Sequence, residues 1–109
     1  MYEHVARKER MQIVQTVILI NPFEVPEGKE EEFLKAWQEA AEHLRDAPGF
    51  LSTRLHESLD PKAKFRFVNV AEWESPQNFQ AAVRSEAFQQ ISRKMSFAAS
   101  PALYRVVAE

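Results

Sequence analysis

Asn69 and Trp73 stand four residues apart in the stretch Lys64-Phe-Arg-Phe-Val-Asn-Val-Ala-Glu-Trp73. Strand side chains alternate between faces, so Phe65, Phe67, Asn69, Ala71 and Trp73 share one face and Arg66, Val68, Val70 and Glu72 take the other. The first face is aromatic and apolar with a single amide in its middle. A buried amide without a partner costs on the order of a few kcal/mol. Asn69 therefore requires either a structural hydrogen bond or a role as a polar group aimed into a cavity that Phe67 and Trp73 line. In the second case the chemistry is recognisable. An Asn amide donates two N–H bonds to a substrate oxygen, and an indole supplies a flat apolar wall with one N–H. Trp73 as plain core filling is the competing reading.

Two more residues belong with these. Asn21 ends the mostly apolar row Ile13, Gln15, Val17 and Leu19, a second amide on an apolar face. His56 has a type whose unperturbed pKa of about 6.5 suits proton transfer. It shares its face with Ser52 and Arg54, so a solvated or interfacial histidine competes with acid–base work.

The elements that must position these side chains follow from the pattern. Gln12 to Ile20 reads as a strand rich in Val, Ile and Thr, and Asn21-Pro22 ends its regular pairing because Pro lacks the N–H donor. Pro26-Glu27-Gly28 opens a helix, with Glu30, Glu31 and Glu32 suited to its positive dipole end. Phe33, Leu34, Trp37, Ala40, Ala41 and Leu44 form its apolar stripe, which puts Trp37 in the core and His43 outside it. Asp46-Ala47-Pro48-Gly49 breaks the helix. Phe50 to Ser58 reads as a second strand, with Leu51, Thr53 and Leu55 on one face and Ser52, Arg54 and His56 on the other. A turn at Leu59-Asp60-Pro61-Lys62 returns the chain antiparallel as the strand Lys64 to Trp73.

Ser75-Pro76 starts the next helix, Ser as N-cap and Pro at the first helical position, with Phe79, Ala82 and Val83 inward. Ser85-Glu86 recaps a second helical segment with Phe88, Ile91 and Met95 inward. Ser100-Pro101 ends it, and Ala102 to Val107 makes a last strand. The order β-α-β-β-α-β is the ferredoxin-like α+β pattern, one antiparallel sheet with both helices on one face. The other face is left open although the first strand is apolar on both sides. Its expected cover is a second copy, giving a homodimer with sheets packed face to face.

Composition narrows the function classes. The 109 residues suit one domain, expected as a loose lead-in over 1–11 and a folded unit over 12–109. A net charge of -2 with no basic stripe argues against nucleic acid and anionic membrane as partners. Cysteine is absent, which removes thiol catalysis and thiolate metal sites. His4, His43 and His56 make no ligand pair at helical spacing, and Gly28 and Gly49 cannot build a phosphate loop. The longest apolar run, Val17 to Ile20, is far short of a membrane span, and the first residues carry no hydrophobic signal core. A cytoplasmic protein without a metal is the expectation.

Residues 12–107 resemble the antibiotic biosynthesis monooxygenase family of dimeric α+β barrels. The resemblance is carried by Asn21-Pro-Phe-Glu-Val-Pro-Glu-Gly-Lys29, Pro48-Gly-Phe-Leu-Ser-Thr-Arg-Leu-His56, Asn69-Val-Ala-Glu-Trp-Glu-Ser-Pro76, Phe79 and Arg84-Ser-Glu-Ala-Phe88. Anthrone-oxidising members use an Asn and a Trp four residues apart on the third strand, which Asn69 and Trp73 match. They use a Tyr six residues beyond, where this chain has Phe79, and an Arg on the following helix, matched by Arg93. An inward Arg93 favours a phenolate by charge; Arg84 and Lys94 nearby suggest a solvated Arg93 instead. The heme-degrading branch uses an Asn at the end of the first strand, matched by Asn21, and a Trp and a His on the second helix, where this chain has Ala82 and Ser92.

The resemblance implies a homodimeric oxidoreductase that oxidises a small aromatic, anthrone or quinol with dioxygen and no cofactor. Asn69, Trp73 and Arg93 are its expected catalytic residues, and Asn21, Phe67, Phe79 and His56 its expected substrate contacts. A non-catalytic dimer holding a small aromatic or lipid-like ligand is the alternative, favoured by the missing hydroxyl at Phe79 and imidazole at Ala82. A heme-binding relative is the third.

Overall fold

Alternation on the third strand organises the molecule. The computed structural model describes residues 16–109; the expected lead-in over 1–11 and the stretch Gln12 to Gln15 lie outside the described residues. The elements are β1 (Val17–Glu24), α1 (Glu30–Leu44), β2 (Phe50–Glu57), β3 (Phe67–Trp73), α2 (Pro76–Arg84), α3 (Glu86–Lys94), β4 (Ala98–Ala99) and β5 (Ala102–Tyr104). The sheet runs β2-β3-β1-β4, with β5 also paired to β1, and every pairing is antiparallel. This is the expected ferredoxin-like order, with β3 and β1 in the middle.

On β3 the buried residues are Phe67, Asn69, Ala71 and Trp73, and the intervening ones are half-buried. The helices pack on this face, and they divide the core in two. Phe23, Val25, Phe33 and Phe67 form one cluster with Leu34, Trp37, Met95 and Phe97 against it. Leu19, Ala71 and Trp73 form the other, with Phe50, Phe79 and Leu103 among its neighbours. Phe33 of α1 is fully buried, its ring 4.9 Å from Phe67 and 4.8 Å from Phe23. Asn21 on β1 and Asn69 on β3 fall between the two clusters, directly opposite each other in the ladder.

Three local expectations are corrected. Asn21-Pro22 does not end the first strand, which pairs with β3 through Phe23. In a strand the N–H and C=O of one residue point to the same side, and the Pro22 carbonyl accepts from the Ser100 N–H at 3.1 Å. The missing donor of Pro22 thus faces away from β3, toward the break between β5, which pairs Ile18 to Ile20, and β4, which pairs Phe23 and Glu24. A central strand tolerates this proline because its neighbour is interrupted there.

The second correction is on β2. Phe50 opposes Trp73 and Ser52 opposes Glu72, so Leu51 is the extra residue of a bulge. Leu51 is exposed rather than sharing a face with Thr53 and Leu55, and Phe50 turns in against Trp73 at 5.4 Å, ring edge to face.

The third concerns the end of the chain. The helix stops at Lys94 rather than Ser100, because Met95 and Phe97 turn in to the first cluster, Phe97 edge-on to Phe33 at 5.3 Å. The chain re-enters the sheet at Ala98, and β5 ends at Tyr104, with Val106 and Val107 exposed.

The expected caps form. Ser75 Oγ accepts the Asn78 N–H at 3.1 Å at the start of α2, and Ser85 Oγ accepts the Phe88 N–H at 3.1 Å at the start of α3. No helix among the described residues is long and apolar enough to cross a membrane.

Candidate functional site

A cavity of about 680 Å³ opens between the sheet and the helices, where the two clusters fail to meet. Small side chains make the room: Ala71 on β3, and Ala40 and Ala41 on the facing side of α1. Val83, Phe88, Ser92 and Met95 from the α2–α3 segment close it above. The wall is apolar apart from Asn21, Thr53, Asn69, Ser92 and the indoles of Trp37 and Trp73, and among the described residues no charged side chain lines it. An apolar cavity with a few converging polar atoms is the usual form of a small-molecule site.

The polar atoms are arranged on the sheet side. Thr53 Oγ1 donates to Asn69 Oδ1 at 2.6 Å, which leaves the Asn69 amide nitrogen as the end that faces a ligand. Opposite it, Asn21 Oδ1 is buried and has no hydrogen-bond partner among the described residues; Trp73 Nε1 is in the same state. Such orphaned groups cost about 1–3 kcal/mol each, so both side chains sit in a state that a small shift toward a polar partner would relieve. The indole itself is fixed. Phe50 and Phe79 both meet it edge to face, at 5.4 and 5.6 Å.

Of the residues singled out from the sequence, Asn21, Asn69, Trp73 and Phe79 line this one cavity. Phe67, Arg93 and His56 do not. Phe67 lies on the right face but is spent in the first cluster, stacked on Phe33. Arg93 is exposed. Helix α3 turns Phe88 toward the cavity, with exposed Ser92 one turn on at the rim and Met95 just past the helix end, and Arg93 rotates out beside Lys94, which pairs with Glu39 at 3.5 Å. His56 is exposed on the helix-free side of the sheet, opposite Val68, with its Nδ1 3.3 Å from the Val68 carbonyl oxygen.

Thr53 is the polar residue whose part sequence reasoning missed. Its signal was present, a hydroxyl on an otherwise apolar row, but its partner depends on cross-strand register. Among the described residues, no group of three or more His, Cys, Asp or Glu is placed to hold a metal ion.

Comparison with known proteins agrees with this fold. The family model for antibiotic biosynthesis monooxygenase matches residues 16–94. A Shewanella loihica PV-4 protein assigned as a monooxygenase superposes with a TM-score of 0.78 at 37% identity, covering 87% of this chain and 97% of that one. SnoaB, a cofactor-independent oxygenase from Streptomyces nogalater, superposes with a TM-score of 0.78 at 22% identity, covering 87% and 96%, a likeness of fold. A heme oxygenase (mycobilin-producing) from Mycobacterium tuberculosis is 37% identical over 65 residues, 60% of this chain and 60% of that enzyme. That match therefore spans less than two thirds of the enzyme's length. With the family model covering most of the chain and its fold reproduced, the chain belongs to the antibiotic biosynthesis monooxygenase family.

Proposed function

We propose that the protein oxidises a small electron-rich aromatic, an anthrone or a quinol, with dioxygen and without a metal or flavin. The observation that carries this reading is the Asn69 amide, its oxygen held by Thr53, beside the Trp73 indole on the wall of a largely apolar cavity. An anthrone loses a proton from its methylene to give an anion delocalised onto its oxygen. Asn69 N–H groups stabilise that oxyanion, an effect that water exclusion strengthens. The anion passes one electron to dioxygen, the radical pair joins to form a C–O bond, the resulting peroxide anion takes up the proton released at the start, and the hydroperoxide loses water to leave a carbonyl. One oxygen atom ends in the product and the other in water. The description of SnoaB as a cofactor-independent oxygenase supports the same reading.

The test is oxygen uptake with a panel of anthrones and quinols, comparing wild type with Asn69→Ala and Trp73→Phe. Turnover that falls at least tenfold in Asn69→Ala is expected. No turnover by wild type, or equal rates in all three, would sink the proposal. A thermal shift with an aromatic ligand and no product would favour the binding-protein reading, which the lack of a charged side chain in the cavity among the described residues supports.

The relationship to a heme oxygenase raises heme as a ligand. The residues do not fit it. Among the described residues, the cavity lining holds no His, Cys or Tyr to ligate iron and no Lys or Arg to pair with the heme carboxylates. Ser92, at the position of the heme branch's histidine, lines the cavity with a hydroxyl only. Titration with hemin should leave its Soret band unshifted.

We propose further that the protein is a cytoplasmic homodimer joined through the helix-free sheet face. Ile18, Ile20, Val68 and Val70 are half-buried on that face with no helix of the described residues over them, and a second sheet would remove their apolar surface from water. Light scattering should give twice the monomer mass, and Val70→Lys should halve it.

A further inference from the structure

We infer that Thr53 is a positioning residue, which through one hydrogen bond makes Asn69 present its N–H donors, and not its carbonyl, to the molecule in the cavity. The inference rests on the reading of this cavity as the reaction site. An Asn amide turns end for end at little energetic expense, because the torsion at its amide is broad and roughly two-fold. An unanchored Asn on a cavity wall therefore offers a ligand either a donor or an acceptor. Only the donor end stabilises an oxyanion.

The geometry selects one end. Thr53 Oγ1 lies 2.6 Å from Asn69 Oδ1 and donates to it. With the amide reversed, Thr53 would have to accept from nitrogen, and its own O–H would then have no acceptor among the described residues. Thr53 is half-buried, so hydration replaces that bond only in part. As a β-branched residue its χ1 is stiff, which holds the hydroxyl on target. Thr53 opposes Ala71 in the ladder and Leu55 opposes Asn69, so the hydroxyl reaches Asn69 along the diagonal.

The bulge at Leu51 is what brings Thr53 to this position. Phe50 and Thr53 are three residues apart and would face opposite sides of a regular strand. With Leu51 extruded, both face the helices, Phe50 against the Trp73 ring and Thr53 against the Asn69 amide. One backbone irregularity thus sets the orientation of both candidate catalytic side chains.

The test uses Thr53→Val, which keeps shape and loses the hydroxyl, Thr53→Ser, which keeps the hydroxyl, Asn69→Ala, and the double variant Thr53→Val/Asn69→Ala. The first readout is the pair of Asn69 side-chain NH2 signals in the nitrogen–proton spectrum, identified by their loss in Asn69→Ala. Thr53→Val should shift them, and Thr53→Ser should return them to the wild-type positions. The second readout is kcat and KM for 1,8-dihydroxyanthrone. Thr53→Val should lower kcat about tenfold, the worth of one neutral hydrogen bond, with a smaller change in KM. Thr53→Ser should recover most of that loss, and the double variant should be no slower than Asn69→Ala alone. Unmoved NH2 signals in Thr53→Val, or losses that add in the double variant, would overturn the inference. Should wild type not turn over the anthrone, the oxygenase reading falls, and the NH2 signals still decide the role of Thr53. Thr53→Ala replaces Thr53→Val if the latter does not fold.

Discussion

Gly49→Ala is a perturbation whose size can be worked from the structure, with Gly28→Ala as its internal control. Gly49 has φ +85° and Gly28 has φ +90°, so both occupy backbone conformations that L-residues resist, at about 1–2 kcal/mol. The surroundings differ. A Cβ on Gly28 meets nothing within 4 Å, whereas one on Gly49 would lie 2.5 Å from Asn78 Cβ and 2.7 Å from Asn78 Nδ2. Asn78 cannot swing away freely. Its backbone N–H caps onto Ser75 Oγ at 3.1 Å, and its Oδ1 accepts from the same hydroxyl at 2.7 Å. Displacing it gives up about 1 kcal/mol for the side-chain bond and disturbs the first turn of α2. Gly28→Ala should therefore lose about 1–2 kcal/mol, and Gly49→Ala about 2–4 kcal/mol. At roughly 4–8 °C per kcal/mol for a domain near this size, Tm should fall by about 8–32 °C in Gly49→Ala and by about 4–16 °C in Gly28→Ala. The loop also carries a link to the site. The Gly49 carbonyl accepts from the Glu74 N–H at 2.8 Å, and the next residue, Phe50, pins the Trp73 ring. Thermal unfolding of both variants by circular dichroism measures the difference. Equal losses, or a larger loss at Gly28, would refute the steric argument at Gly49.

Other substitutions probe the core, the cavity and the surface. Ala71→Leu fills the space between Asn69 and Trp73, and should weaken binding of an aromatic ligand at least tenfold in a thermal-shift titration while the free protein stays folded. Phe33→Ala empties the centre of the first cluster and should cost about 3–5 kcal/mol in urea denaturation. Arg66 is largely buried; its Nη2 is 2.6 Å from Glu57 Oε2, its Nη1 donates to the Ser58 carbonyl and its ring neighbour is Phe67. Arg66→Met should lose about 1–2 kcal/mol, because half-exposed Glu57 rehydrates when the cation is removed. Arg93→Ala should change the rate of oxygen uptake less than twofold to threefold, since the side chain stands outside the cavity.

Much of the fold was legible from periodicity. The alternation on β3 selected Phe67, Asn69, Ala71 and Trp73 correctly as the buried set, and the stripe on α1 selected Phe33, Ala40 and Ala41. Ser75-Pro76 and Ser85 marked both helix starts because a cap is a contact between residues three apart. Phe65 shows where the pattern runs out. It keeps the parity of Phe67 but lies beyond the paired part of β3 and is exposed.

The sequence by itself determined which residues face inward on each regular element, because that follows from backbone geometry within a few residues. Only the tertiary structure decided how those faces meet. Whether Pro22 ends a strand depended on a gap in the strand beside it. Whether Phe50 or Leu51 points inward depended on a bulge that only pairing with β3 defines. Ser92 and Arg93 are adjacent on α3, about 100° apart around its axis; both are exposed, and the rotation of that helix over the sheet left Ser92 at the cavity rim and Arg93 away from it. The register that sets Asn21 opposite Asn69 joins residues 48 positions apart, and the bond from Thr53 to Asn69 spans 16. Local patterns carry no information about such pairings, so the amides could be found in the sequence but not their arrangement.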